Sequence, residues 1–222
     1  GDIVIDGAVN ARLLRFEARR GEVMVNADAV LDASAEEGGS INLSGSEGVT
    51  IAGGAQLLAR GLGEAGDGGV IRVQAGDEGR LAIGEALFDV SGNGTLAAGV
   101  REGTVHLRAP RTDADVALTD WSATVTGGLT LLEAYKAYDA NPDGTVDDPL
   151  IAAAILDTGD FMAGVGAIRA RLGVEGDGRF WVTPGVEFRS EGAMELTGTW
   201  DSSKLRYDAV EGQMPYQDGD AV

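Results

Sequence analysis

The sequence contains no cysteine, which excludes disulfide scaffolds, thiolate metal sites, Fe–S clusters and cysteine nucleophiles. Histidine occurs once, at His106, so any Ser-His-Asp triad would have to use that residue. Lysine occurs only at Lys136 and Lys204, and 17 Lys and Arg face 36 Asp and Glu, a net charge of −19. Phosphate recognition needs clustered cations, so nucleic acid and anionic lipid are excluded as partners. No apolar run approaches the roughly 20 residues that cross a bilayer, so the chain is not expected to span a membrane. No stretch has the pattern of a secretory signal. Aromatic residues make up 5%, and ten of the twelve lie beyond residue 120.

Glycine is abundant instead, at 35 of 222 residues. Its distribution follows an internal repeat. Gly39-Ser40-Ile41-Asn42-Leu43, Gly69-Val70-Ile71-Arg72-Val73 and Gly103-Thr104-Val105-His106-Leu107 share one pattern, small residues followed by aliphatic, polar, aliphatic. A second short segment follows each: Val49-Thr50-Ile51, Leu81-Ala82-Ile83 and Val116-Ala117-Leu118. A third follows again, at Gln56 to Ala59, Leu87 to Val90 and Ser122 to Val125. Arg15-Phe16-Glu17, Val23-Met24-Val25 and Val30-Leu31-Asp32 form an earlier set. Three short strands per repeat of about 30 residues is the arithmetic of a parallel β-helix coil.

The expected fold is therefore all-β, a right-handed parallel β-helix with a helical excursion near 149–172. Period 2 sends Ile41 and Leu43 inward and Asn42 outward, and successive coils stack about 4.8 Å apart. A narrow stacked interior suits small aliphatics and accounts for the scarcity of aromatics. Gly38-Gly39 and Gly68-Gly69 are expected at corners that require positive φ. An antiparallel sandwich calls for hairpin turns such as Asn-Gly, and only Asn93-Gly94 qualifies. The chain is expected to be one segment of a longer protein, since Asp2 to Asp6 already has a strand pattern. Its organisation is expected as regular coils over 1–128, a loop and helical insertion over 129–179, resumed strands over 180–210 and a loose end over 211–222.

The excursion should start at Asp148, as cap, with Pro149 in the first turn. Thr158-Gly159-Asp160 should interrupt it, and Phe161, Met162, Val165, Ile168 and Leu172 should form the face packed on the side of the strand stack. Gly173 should close it. Strands are expected at Phe180-Trp181-Val182, Val186-Glu187-Phe188 and Met194-Glu195-Leu196.

The run Leu31-Asp32-Ala33-Ser34 with Glu37-Gly38-Gly39-Ser40-Ile41-Asn42-Leu43 resembles coils of filamentous haemagglutinin-like exoproteins of Gram-negative bacteria. The segments Gly66 to Val73 and Gly103 to Pro110 are similar to them too. From Leu131 onward, Leu132-Glu133-Ala134-Tyr135, Asp160-Phe161-Met162, Ile168 to Leu172, Pro184 to Ser190, Met194-Glu195-Leu196 and Trp200-Asp201 resemble the family's helical insertion and the strands after it, in the same order. The resemblance implies a secreted adhesin exported through an outer-membrane transporter by two-partner secretion, resident at the cell surface. Its partners would be host or bacterial surface glycans or proteins, and its work structural rather than enzymatic. The alternatives are a carbohydrate-active β-helix enzyme, a polysaccharide lyase or hydrolase, and a filament-forming subunit.

The sharpest local motif is a candidate Ca²⁺ loop. Asp139, Asn141, Asp143, Thr145 and Asp147 place oxygens at loop positions 1, 3, 5, 7 and 9, with Gly144 at the turn. Leu150 stands where a bidentate Glu is usual, with Asp148 as the available substitute; the competing reading is an Asx-rich loop before a capped helix. His106 is expected outward in register with Asn42 and Arg72, with no orienting neighbour. Thr50, Ala82 and Ala117 should form the next ladder. Asp32 and Asp89 should occupy equivalent sites with Ala59 between them.

Overall fold

The computed structural model describes residues 1–95 and 99–200. The expectations for 201–210 and for the loose end over 211–222 lie outside the described residues. The chain is mostly β, and its principal sheets are parallel. The first sheet contains β1 (Ile3–Ile5), β4 (Glu22–Val25), β7 (Gly48–Ile51), β10 (Arg80–Ile83) and β14 (Leu118–Trp121). The second contains β2 (Ala8–Asn10), β5 (Val30–Asp32), β8 (Gln56–Leu58), β11 (Leu87–Asp89) and β15 (Thr124–Thr126). The third contains β3 (Leu13–Ala18), β6 (Ser40–Gly45), β9 (Val70–Ala75), β12 (Thr104–Thr112), β16 (Leu129–Asp139) and β18 (Phe180–Arg189). From β1 to β12 the chain visits the sheets in one repeating order, so each strand pairs with those three before and three after it.

Register follows the alternation of side chains. Ile41 pairs with Ile71, which pairs with Val105, and all three are fully buried. Leu43, Val73 and Leu107 repeat this two residues on. Each fully buried aliphatic contributes about 1.5–3 kcal/mol, and because the ladders are continuous the core runs as one cluster from Ile5 to Val182.

Glycine at the corners has a different cause from the one expected. Gly38, Gly39, Gly68 and Gly69 are not among the positive-φ residues. A Cβ on Gly69 would lie 2.2 Å from the Gly39 carbonyl oxygen, and one on Gly39 would lie 2.1 Å from that of Ala33. Backbone is packed on backbone there, leaving no room for a side chain. Positive φ is used instead at Gly127 (+70°) and Gly128 (+57°), which lead into β16.

Four boundaries differ from the sequence reading. β12 runs past its corner and returns through β13 (Asp115–Val116), an antiparallel partner, so Leu118 rather than Val116 lies opposite Leu81. A shift of two residues keeps the same face inward, so alternation could not reveal it. A register irregularity after Leu81 then adds one residue more, so the outward ladder is Thr50, Ala82 and Asp120, not Ala117. In the second sheet Leu58, not Ala59, stands between Asp32 and Asp89. The segment 129–139, expected as loop, is the longest strand, and 180–189 is one strand rather than two pieces. Pro184 is tolerated within β18 because that strand lies at the edge of its sheet.

The helical excursion is α1 (Asp148–Ala163) and α2 (Val165–Arg171). Asp147, not Asp148, is the N-cap: its carboxylate accepts from the Leu150 N–H at 3.1 Å. The break falls at Gly164, with a 46° bend, rather than at 158–160. Phe161, Met162, Val165, Ile168 and Leu172 are all buried, and they belong to the same hydrophobic cluster as the inward strand residues. The apolar face of the pair thus packs against the strand core, as expected. Trp121 joins it there, 6.1 Å from Phe88 and 5.3 Å from Phe180 between ring centroids. Gly173, at φ +70°, ends the second helix as expected. No single helix among the described residues is long and apolar enough to cross a membrane.

Candidate functional site

Within the loop Asp139 to Asp147, several oxygens are already hydrogen-bonded. Asp143 Oδ1 accepts from the Thr145 N–H (3.0 Å) and from Thr145 Oγ1 (2.7 Å), while Asn141 Nδ2 donates to Thr145 Oγ1 (3.1 Å). The Thr145 carbonyl accepts from the Asn141 N–H, and the Asp147 carboxylate caps α1. Asp139 ends β16. The hydroxyl and backbone N–H of Thr145 hold the Asp143 carboxyl below its usual range. Gly144, at φ +84°, makes the turn that sequence assigned to it. Asp148, the substitute ligand, accepts instead from the Thr199 N–H at 2.8 Å. No group of three or more His, Asp or Glu among the described residues is placed to hold a metal ion, so Asp139, Asp143 and Asp147 are not brought together as a donor set.

His106 is outward and half-buried, opposite Arg72 as expected, but it has a neighbour that sequence reading did not supply. Its Nε2 lies 3.0 Å from Glu133 Oε2, on the adjoining strand β16. Arg108 Nε donates to the other oxygen of Glu133 at 3.0 Å, and Arg108 also reaches Glu187 on β18. Arg189 donates to Glu187 (2.7 Å) and to Asp77 (2.6 Å). Tyr135 completes the set, its hydroxyl 3.0 Å from Asp77 Oδ1 and its ring beneath Arg108, whose Cζ is 3.7 Å from the centroid. Burial pushes the Glu133 carboxyl up, but the His106 hydrogen bond and the Arg108 charge outweigh it and leave the group below its usual range. Burial likewise raises the Tyr135 phenol. The signal for this network was present in Gly127-Gly128, which leads into β16 as Gly38-Gly39 leads into β6.

A second polar centre fastens α1 to the third sheet. Asp157 accepts from Tyr138 (2.6 Å), Lys136 (2.8 Å) and the buried Arg111 (3.1 Å). Burial acts to raise the Asp157 carboxyl, and the Lys136 and Tyr138 hydrogen bonds reverse that and hold it low. Burial and the Asp157 contact push the Tyr138 phenol far up. Arg169, buried in α2, donates to the carbonyls of Val174 (2.8 Å), Glu175 (3.1 Å), Asp177 (3.1 Å) and Phe180. Arg171 donates to the Leu118 carbonyl (2.8 Å) and to Asp115 (2.7 Å). These arginines hold the helices to the strand stack.

The Asp32 and Asp89 carboxylates are separated by Leu58 and flank Arg60, at 3.8 and 4.0 Å; each also accepts from a serine N–H two residues on, Ser34 and Ser91. They therefore serve turns and a loose ion pair. Comparison with family profiles, curated proteins and solved structures finds no match for this chain.

Proposed function

We propose that the chain is a right-handed parallel β-helix segment serving as a stiff, surface-exposed display element of a secreted filamentous haemagglutinin-like adhesin. The observation that carries this reading is the in-register stacking of like positions in three parallel sheets visited in one repeating order. Right-handed connection is the general rule for parallel strands. Stacked coils gain stability from nearest neighbours, extend by repetition and present flat outer faces. The resemblance to the exoprotein family supports export by two-partner secretion and residence at the surface of a Gram-negative cell. Displayed on a non-adherent bacterium, the chain should increase attachment to host-cell or glycan-coated surfaces over the display scaffold alone. Equal attachment would contradict the adhesive role.

One observation favours a second reading, cleavage of a polysaccharide. The His106–Glu133 contact places an acid–base pair on an outward sheet face beside Arg72. Release of reducing or unsaturated ends, lost in His106→Ala, would establish that reading in place of the first.

A further inference from the structure

The outer face of the third sheet changes character along its length. At one end Glu17 holds Arg15 and Arg19, and at the other Glu133 and Glu187 hold His106, Arg108 and Arg189. Arg72, between these clusters, differs. Its outward neighbours are Ser40, Asn42 and Ser44 on β6 and Thr104, His106 and Arg108 on β12, none of them a carboxylate. Among the described residues the Arg72 side chain makes no ion pair or hydrogen bond, and neither does that of Arg12. Both line one open cleft of about 410 Å³.

The cleft is shaped by the corner geometry. Its lining includes Gly38-Gly39 and Gly68-Gly69, where chain segments touch backbone to backbone and any Cβ would collide. Leu13, 65% exposed, and Val70 are its apolar lining, and Ser40 adds a hydroxyl. No carboxylate is among the lining residues. Two unpartnered guanidinium forks facing an open, partly apolar cleft suit a planar oxyanion gripped from two sides, with the rest of the ligand resting C–H groups on Leu13 and Val70.

The charge of the whole chain narrows the ligand. A net charge of −19 repels a polyanion at long range, so the local positive window is best matched by a ligand carrying one negative charge. The geometry points to a glycan-binding site: Arg12 and Arg72 hold the carboxylate of a single acidic sugar at the end of a glycan chain. The inference deepens the adhesive reading and rests on it for the setting in which such a sugar is met. A terminal uronic acid and a sialic-type sugar share this chemistry.

Titration of the intact chain, followed by calorimetry or saturation-transfer NMR, tests it with methyl glucuronide, a methyl sialoside and neutral methyl glucoside. At least one carboxylated probe should bind and the neutral one should not. Arg12→Gln/Arg72→Gln should weaken that binding at least about tenfold with an unchanged melting temperature, and Arg72→Lys should keep part of it because charge remains without the fork. Binding that survives the double substitution, equal binding of the neutral sugar, or no binding of either acidic sugar would overturn the inference. So would equal binding of a short acidic peptide, or much tighter binding of polygalacturonate per carboxylate. Adhesion retained by the double variant would sink this inference alone; absence of adhesion by a chain that still binds the sugar would sink the adhesive reading alone.

Discussion

At the scale of single residues the molecule is held by outward charges that neighbouring strands supply to one another. Glu133 is the hub, because His106 and Arg108 both hydrogen-bond to its carboxylate. Its carboxyl titrates below the unfolded value, so its contribution is complete above the unfolded pKa of about 4.3 and is lost as pH falls through the lower folded value. Glu133→Gln should therefore destabilise the chain by about 1–2 kcal/mol at pH 7. In urea titrations the gap to the parent should narrow as pH falls below the unfolded pKa of about 4.3; a gap that stays constant through that range would show the loss is not electrostatic. The outward position of His106 could be read from alternation alone. Its partner could not, because β16 shows Leu131 at the position where earlier strands show Asn42, Arg72 and His106, which broke the repeat pattern that would have aligned Glu133 beside them.

Among elements, β6 and β9, each led by a pair of glycines, were legible, whereas β16, led by Gly127-Gly128, and β18 were not. Pro184-Gly185 has the composition of a turn, yet it lies within β18, with Gly185 opposite Tyr135. The Glu133 side chain and the Cβ of Tyr135 explain a glycine there, since a Cβ would lie 2.6 Å from Glu133 Oε1 and 2.7 Å from Tyr135 Cβ. The helix start was misplaced by one residue because Asp147 and Asp148 are both competent caps, and the choice is settled by Asp148 binding the Thr199 N–H. Asp147→Ala should cost about 1 kcal/mol in thermal or chemical denaturation. Millimolar Ca²⁺ should leave the melting temperature of the parent unchanged, since the Asp143 and Asp147 carboxylates already accept hydrogen bonds within the loop and the α1 cap; an increase would restore the calcium reading. Arg169→Met strands the carbonyls of Val174, Glu175, Asp177 and Phe180 and should cost about 3 kcal/mol. A loss under 1 kcal/mol would mean the 174–180 segment does not depend on that staple.

For the molecule as a whole, two compositional facts carry most of the account. Many glycines stand where neighbouring chain segments meet backbone to backbone, and the charge of −19 leaves acidic groups in excess over the ion pairs that the few cations can make. Self-repulsion should make stability rise with added salt from low ionic strength up to about 0.15 M, where the Debye length falls to about 8 Å. A melting temperature that falls over that range would mean the ion pairs outweigh the net charge. The central claim is that consecutive coils stack in register in all three sheets, and the absence of native cysteine lets crosslinking test it without background. Three double variants sample the same pair of coils: Ser44→Cys/Gln74→Cys, Thr50→Cys/Ala82→Cys and Gln56→Cys/Leu87→Cys. Neighbouring strands about 4.8 Å apart lie within disulfide reach, whereas Ser40→Cys/Thr104→Cys spans two strand spacings and lies beyond it. All three pairs should oxidise to an intramolecular disulfide and the control should not; failure of any one sheet to crosslink, or closure of the control, would contradict the stacked-coil account.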